Sequence, residues 1–308
     1  DLAALNGEKL FFDDLRQYYL GEGNVKLTSK ENNLILLGDE GYHDKANGFS
    51  KIYGNAIMKK IMQLDTFYVA VDTMVAIESE YDSAKRILAY PDIRIFKMNV
   101  QGIADSTAYF LADSIIMLYQ NPILWTGENQ VLSDTIAIQL SDSSVEKMKL
   151  KRNAFLISKD SVGNFNQIKG RIMNIYFQDE NLNYIDINGN CESLFHSMDE
   201  TDTTLLGINI MLTSNMTIRF LNNQIHNFTL YKSPEGRFIP PHMIMETDKT
   251  LNDFNWIIDR RPSLQDIFTK PVYNEILAPV NNDYNTNVKP DELEIKKNRK
   301  NRREREKR

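Results

Sequence analysis

Cysteine is almost absent from this chain: Cys191 is the only one in 308 residues, which excludes an internal disulfide. Long apolar runs are missing too. The segment from Asn33 to Gly38 is typical of the short ones present, far below the roughly 18 residues a membrane-crossing helix needs. The four histidines, His43, His196, His226 and His242, are scattered without metal-ligand spacing, so no metal site is expected. Cys191 follows a turn signal with no histidine near it in sequence, and is read as an inert thiol. There is no glycine-rich phosphate loop, no G-x-S-x-G elbow and no H-E-x-x-H pair. Neither catalysis nor a cofactor is therefore expected.

Positive charge is scarce except at one end. From Lys296 to Arg308 nine Lys or Arg face two Glu, a local +7, so the net charge of −6 leaves −13 on the remainder. An acidic body with a basic tail excludes nucleic acid as a partner of the folded part. The chain starts at Asp1, not Met, and is read as a trimmed product whose signal peptide lies outside it.

What is present is a recurring mark. Gly23-Asn24-Val25 and Gly54-Asn55-Ala56 open a series continued by Pro91-Asp92, Asn121-Pro122, Asn153-Ala154 and Gly189-Asn190-Cys191. Anchored at 24, 55, 91, 121, 153 and 190, the intervals are 31, 36, 30, 32 and 37 residues. A second mark, an Asp before an apolar strand, falls about midway: Asp39, Asp72, Asp105 and Asp134. Such a period implies stacked units, none of which buries its apolar face alone. Both marks are read as turns.

Between the marks apolar and polar residues alternate with period two, as in Val25 to Thr28, Ile93 to Ile95, Ile136 to Leu140 and Met216 to Phe220. The expected fold is all-β, with strand following strand in antiparallel meanders. Helix is expected only locally, over Ser50 to Gln63 and Ser263 to Phe268. Several Asp residues precede Ser or Thr (Asp65, Asp72, Asp105, Asp113, Asp134) and could hide a carboxylate pair, but recurrence once per unit suits turn formation better. Three regions are expected: a repeat-built body over 1–232, a Pro- and aromatic-rich strap over 233–280 packing on it, and a disordered basic tail over 281–308. Such a tail can bind anionic lipid or nucleic acid, but an unstructured, solvated tail is the commoner outcome.

The stretch from Ala89 to Glu200 resembles the OstA-like proteins of Bacteroidota, relatives of the LptA-like periplasmic lipopolysaccharide-transport bridge. The resemblance rests on Gly102-Ile103-Ala104-Asp105-Ser106, Asn121-Pro122-Ile123-Leu124-Trp125, Asn129 to Ile136, Asn153 to Ser161, and Asn166-Gln167-Ile168-Lys169-Gly170. Downstream, Pro234-Glu235-Gly236, Pro240-Pro241-His242, Phe254-Asn255-Trp256 and Arg261-Pro262 are similar to the family's C-terminal pattern, and coverage is most of residues 1–270.

The resemblance implies an open, V-shaped β-jelly roll whose two sheets face each other across an apolar groove that holds lipopolysaccharide acyl chains. It implies a periplasmic location, a role in outer-membrane biogenesis, and partners among the lipopolysaccharide-transport components of both membranes. It also implies self-stacking of units through exposed edge strands. Counting from the turn marks, the groove is expected to be lined by Val25, Leu27, Ala56, Met58, Ala154 and Leu156. A one-residue shift at the Pro-containing units adds Ile93, Ile95, Ile123 and Trp125, while Ile136 and Ile138 come from the other half of a unit. The same side chains would equally fill a closed sandwich core, and a one-residue register error would exchange the inward and outward sets. The alternative function is a structural or adhesive cell-envelope β-solenoid with a dry core and no lipid. A carbohydrate-processing β-protein is more remote, since it needs a carboxylate pair in a cleft.

Overall fold

The computed structural model describes residues 4–199, 201, 203–221 and 224–268. The basic tail lies outside them, as does the end of the strap. Eight strands are long and unbroken: β3 (Tyr18–Ser29), β4 (Leu34–Asp44), β5 (Phe49–Ile61), β6 (Thr66–Ile77), β15 (Val145–Lys159), β16 (Phe165–Gln178), β17 (Asn181–Met198) and β18 (Leu205–Leu221). Others come in end-to-end pairs separated by a short break. These are β1 (Ala4–Asn6) with β2 (Lys9–Asp13), β7 (Arg86–Tyr90) with β8 (Ile93–Lys97), and β9 (Val100–Ala104) with β10 (Ser106–Phe110). The series continues with β11 (Ile115–Tyr119) and β12 (Ile123–Thr126), β13 (Asn129–Leu132) and β14 (Thr135–Leu140), and β19 (Gln224–Tyr231) and β20 (Glu235–Ile239). Counting each pair as one, fourteen long strands run antiparallel in sequence order.

Every second long strand is kinked at its middle by residues in the left-handed region: Gly23-Asn24, Gly54-Asn55, Asp92, Gln120-Asn121, Arg152-Asn153, Gly189-Asn190 and Lys232-Ser233. Strand register jumps at these places, as between Glu22 and Val25 and between Tyr53 and Ala56. Glycine is required at position 54, where φ is +72° and a Cβ would meet the Asp39 side chain at 2.9 Å. Two of the midway acidic residues, Asp39 and Asp134, bond a kink from the neighbouring strand, and Glu8 does the same for the first kink. Asn24 donates to Glu8 Oε1 at 2.5 Å, Asn55 to Asp39 Oδ2 at 2.6 Å, and Asn153 to Asp134 Oδ1 at 2.9 Å. The periodic marks are thus bulges within strands, where chain reversals were expected. One period is two long strands, because the left-handed kink recurs on alternate ones.

The kinks line up and fold the sheet into two facing leaves. The first leaf holds β1, β8, β9, β12, β13 and β20, the second β2, β7, β10, β11, β14 and β19, and each unbroken strand contributes one half to both. Antiparallel pairing gives each leaf one inward and one outward row set. One inward row of the second leaf crosses all fourteen strands, from Phe12 through Tyr19, His43 and Ser50 to Ile138, Met148, Ile218 and finally Phe228. At the centre, β6 and β15 pair with both halves of a broken neighbour, so a ten-strand circuit runs round the kink line through β7, β10, β11 and β14 on one side and β8, β9, β12 and β13 on the other. Contacts between the hairpin ends, such as Lys97 with Glu180, close the space between the leaves. The fold is all-β, as expected, but its middle is closed where an open V was expected throughout.

The expected helix over Ser50 to Gln63 is overturned: Phe49–Ile61 is β5, paired with β4 and β6. A short α1 (Leu264–Phe268) does form, with Ser263 and Asp266 hydrogen-bonded to each other across its first turn. Between β20 and α1 the chain lies on the outer face of the first leaf, where Leu251, Phe254 and Trp256 pack on Phe155, Ile157 and Leu194.

Three glutamines fasten this strap. Gln101, Gln130 and Gln167 lie in one outward row, alternating with Trp125 and Ile157. Gln167 donates to Lys249 O (2.8 Å) and accepts from Leu251 N (2.7 Å); Gln130 donates to Asn255 O (2.6 Å) and accepts from Ile257 N (2.8 Å). Each amide thus substitutes for a strand's backbone, satisfying two strap groups two residues apart. Gln101 accepts from Arg261 Nε at 2.8 Å.

Candidate functional site

Among the described residues, the space between the leaves is the large apolar surface that the topology gathers from nearly every strand, so the candidate site is built there. Val25, Leu27, Ala56, Met58, Ile93, Ile95, Ile136, Ile138, Ala154 and Leu156 are at most 3% exposed. All but Val25 belong to one interior cluster, and Val25 packs over Gly21 and Gly41 near Ile52.

Ile123 and Trp125 are corrected. Both are buried but face outward, Ile123 opposite Ile103 and Leu132, Trp125 opposite Gln101 and bonded to Gln130 Oε1 at 3.1 Å. Their neighbour Leu124 is the interior residue. The frame follows the left-handed residue and not the proline. Asp92 follows Pro91, whereas Asn121 precedes Pro122, so the shift that suits the first unit misplaces the second. Counted this way, the first and third residues after positions 24, 55, 92, 121, 153 and 190 all point inward. Applied to Asn190, the rule also supplies Cys191 and Ser193, both buried, which the sequence reading missed. The three glutamines were missed as well. Their signal was a polar amide inside otherwise apolar strands, a group that must find a partner when buried.

Opposite the kink line, the hairpin ends of the two leaves form a pair of lips. At the centre the lips are clasped by polar contacts. Lys97, fully buried, pairs its ammonium with Glu180 of the opposite lip, bonds Asn99 Oδ1 at 3.0 Å and lies 3.6 Å from Asp65. Asn99 Nδ2 donates to Glu180 O at 2.8 Å, and Gln63 N to Asp142 O at 3.0 Å. On either side of the clasp the lips part. The smaller opening, about 410 Å³, lies among Ser29, Leu34, Gly48, Ala76, Ile87 and Leu111. The larger, about 750 Å³, lies among Ser158, Asn166, Phe195, His196, Met198 and Ile225.

Burial pushes the Cys191 thiol up to about 11, and its sulfur lies 3.4 Å from Ile187 O and from Ser214 O. Burial lowers the His196 pKa and keeps the ring neutral; the ring and its backbone N–H both meet Asn166 Oδ1. Among the described residues no group of three His, Cys, Asp or Glu is placed to hold a metal, and no helix is long and apolar enough to cross a membrane.

At its two ends the roll is unfinished. Among the described residues β1 and β2 pair only with β3, and β19 and β20 only with β18, so each end presents one broken strand whose outer edge no other described strand covers. The inward rows surface there: Phe12 is 54% and Phe238 is 53% exposed. Phe228 meets Phe195 across the leaves, ring centroids 4.9 Å apart.

No family model matches the chain, and no curated protein is similar to it. Among solved structures the chain is similar to LptH of Pseudomonas aeruginosa, described as the LptA-homologous periplasmic component of a conserved lipopolysaccharide transport device. The identity is 12% and the TM-score 0.21, over 46% of this chain and 79% of that one.

Proposed function

We propose that the protein is a non-catalytic carrier that shelters the acyl chains of lipopolysaccharide between its two leaves, in the periplasm, as one unit of a bridge between inner and outer membrane. The observation that carries this reading is the inward row that spans all fourteen described strands, exposed at Phe12 and ending half-buried on Phe228, with Phe238 exposed at the same end of the other leaf. A dry sandwich gains nothing by leaving Phe12 and Phe238 half in water, whereas a conduit needs apolar ends. The resemblance of the central motifs to OstA-like proteins supports the same ligand. The outer edges of these end strands suit end-to-end stacking, β1 and β2 of one copy against β19 and β20 of the next, as well as pairing with other transport components of the same strand geometry.

The closed centre changes where a chain can lie. Ile95, Ile136 and Ile138 are fully buried, so the lipid is taken at the larger opening and the C-terminal end, and the centre holds the leaves in place. That packed centre is also what favours the second reading, a structural envelope solenoid that binds no lipid.

Calorimetric titration with lipopolysaccharide, and separately with its polysaccharide stripped of acyl chains, distinguishes the two. The carrier binds only the acylated form. Binding of neither form, or equal binding of both, contradicts it.

A further inference from the structure

The inward positions fixed by the kinks are apolar with one polar exception. Ser193 lies in the inner row of the first leaf between Ile168 and Met211, fully buried, and its hydroxyl has no hydrogen-bond partner. A second buried atom shares this condition: Asn129 Oδ1, on a residue 2% exposed whose Nδ2 donates to Thr126 O at 3.1 Å. Both border the larger opening. Asn129 is paired in register with Ser158 of its wall, and Ser193 is two residues from Phe195 on the same face of β17. Phe195 stands between opening and interior, edge-on to Phe228.

An orphaned buried polar atom costs stability, and a methyl group in place of the Ser193 hydroxyl would remove that cost. An unspent hydrogen-bonding group inside an apolar wall suits a ligand that brings the missing partner. Asn129 on β13 lies three strands, about 14 Å, from Ser193 on β17, so no single ligand group reaches both. A serine hydroxyl both donates and accepts, so a hydroxyl or an amide N–H on the ligand satisfies it. Charge adds no preference for phosphate, because Lys159 at the opening is outnumbered by Glu128 and Asp160.

We propose that the larger opening takes an aliphatic chain bearing its own hydrogen-bonding group near the head, a hydroxyl or an amide N–H, which Ser193 receives once Phe195 turns aside. This rests on the lipid reading above and sharpens it: the site selects substituted chains over plain ones.

The test is calorimetric titration of the full chain and of Ser193→Ala with tetradecanoic acid and 3-hydroxytetradecanoic acid, with thermal unfolding of both proteins without ligand. The carboxylates are identical, so the ratio of affinities reports the hydroxyl alone. The native protein is expected to favour the hydroxylated acid by roughly five- to tenfold, the value of one net hydrogen bond. In Ser193→Ala that preference falls to about one while the free protein melts higher, a pairing that a merely structural serine would not give. Equal binding of the two acids by the native protein, or a preference that survives in Ser193→Ala, overturns the inference and leaves the carrier reading intact. If neither acid binds but lipopolysaccharide does, the inference again falls alone. If lipopolysaccharide does not bind either, both fall.

Discussion

The centre of the roll and its two ends are made of the same kinked strand, yet they solve different problems. At the centre Lys97 clasps the lips, and inward side chains such as Ile116, Ile136 and Ile138 are fully buried. At the ends the same rows finish on Phe12 and Phe228, on strands whose outer edge no other described strand covers. The difference teaches that full burial and exposed apolar surface are separable along one core. The centre supplies a folded body, and the ends keep apolar surface available.

The sharpest way to break this comparison is to place the same charge in both regions of one row. Ile136→Asp buries a carboxylate with no partner, a cost of several kcal/mol that is comparable to a typical whole stability margin. It is expected to abolish the cooperative thermal transition. Phe12→Asp, at a half-exposed position, should shift stability by no more than about 0.5 kcal/mol. Equal losses in the two variants would erase the distinction.

The clasp comes next. Lys97→Met removes the cation from Glu180 and Asp65, which are 30% and 25% exposed at the side chain and can be reached by water. The expected cost is about 2 kcal/mol, below that of breaking a fully buried pair. Faster amide hydrogen exchange is expected at the lips, around Lys97–Val100 and Gln178–Asn181, with little change at the kink line. Unchanged exchange there would mean that packing alone holds the lips.

A smaller effect is expected of the strap. Gln130→Leu leaves Asn255 O and Ile257 N without their amide partner, worth about 1–2 kcal/mol. Limited proteolysis should then cut between residues 240 and 268 before the body.

The smallest effect is a pH dependence. Burial lowers the His196 pKa, so the unfolded chain takes up that proton more readily than the folded one. The histidine's contribution is therefore present above the ordinary value of about 6.5 and declines as pH falls through it toward the folded value. His196→Asn should flatten that part of the stability profile in denaturant titrations at pH 5 to 8.

Much of the fold was legible in the sequence, because the kink is written in residue chemistry. Asn and Gly tolerate the left-handed region, and Glu8, Asp39 and Asp134 reach the Asn amides from the next strand, so both marks recur at the spacing of two strands. What the marks did not reveal was that the chain runs on through them, since a left-handed Gly-Asn suits a hairpin as well as a bulge. The misread helix at Ser50 to Gln63 has a related cause. Its spacing of Ile, Met and Lys mimics a helix face, but pairing on both sides overrides local propensity. In the candidate site the error at Ile123 and Trp125 came from counting from proline, although it is the left-handed residue that sets which side chains turn inward. The closure of the centre was not legible, because it depends on lip contacts between residues far apart in sequence, Lys97 with Glu180 and Gln63 with Asp142.

The most direct test of the central claim is site-specific photo-crosslinking in cells that make lipopolysaccharide. A photoreactive residue is placed at Phe195 and Phe228 near the C-terminal end, at Ile95 and Ile136 in the centre, and at Lys26 as an outward control. Adducts with lipopolysaccharide at Phe195 and Phe228, and none at the other three positions, are the predicted result. Absence of adducts from Phe195 and Phe228 in a folded, exported protein would contradict the carrier account and leave a structural role.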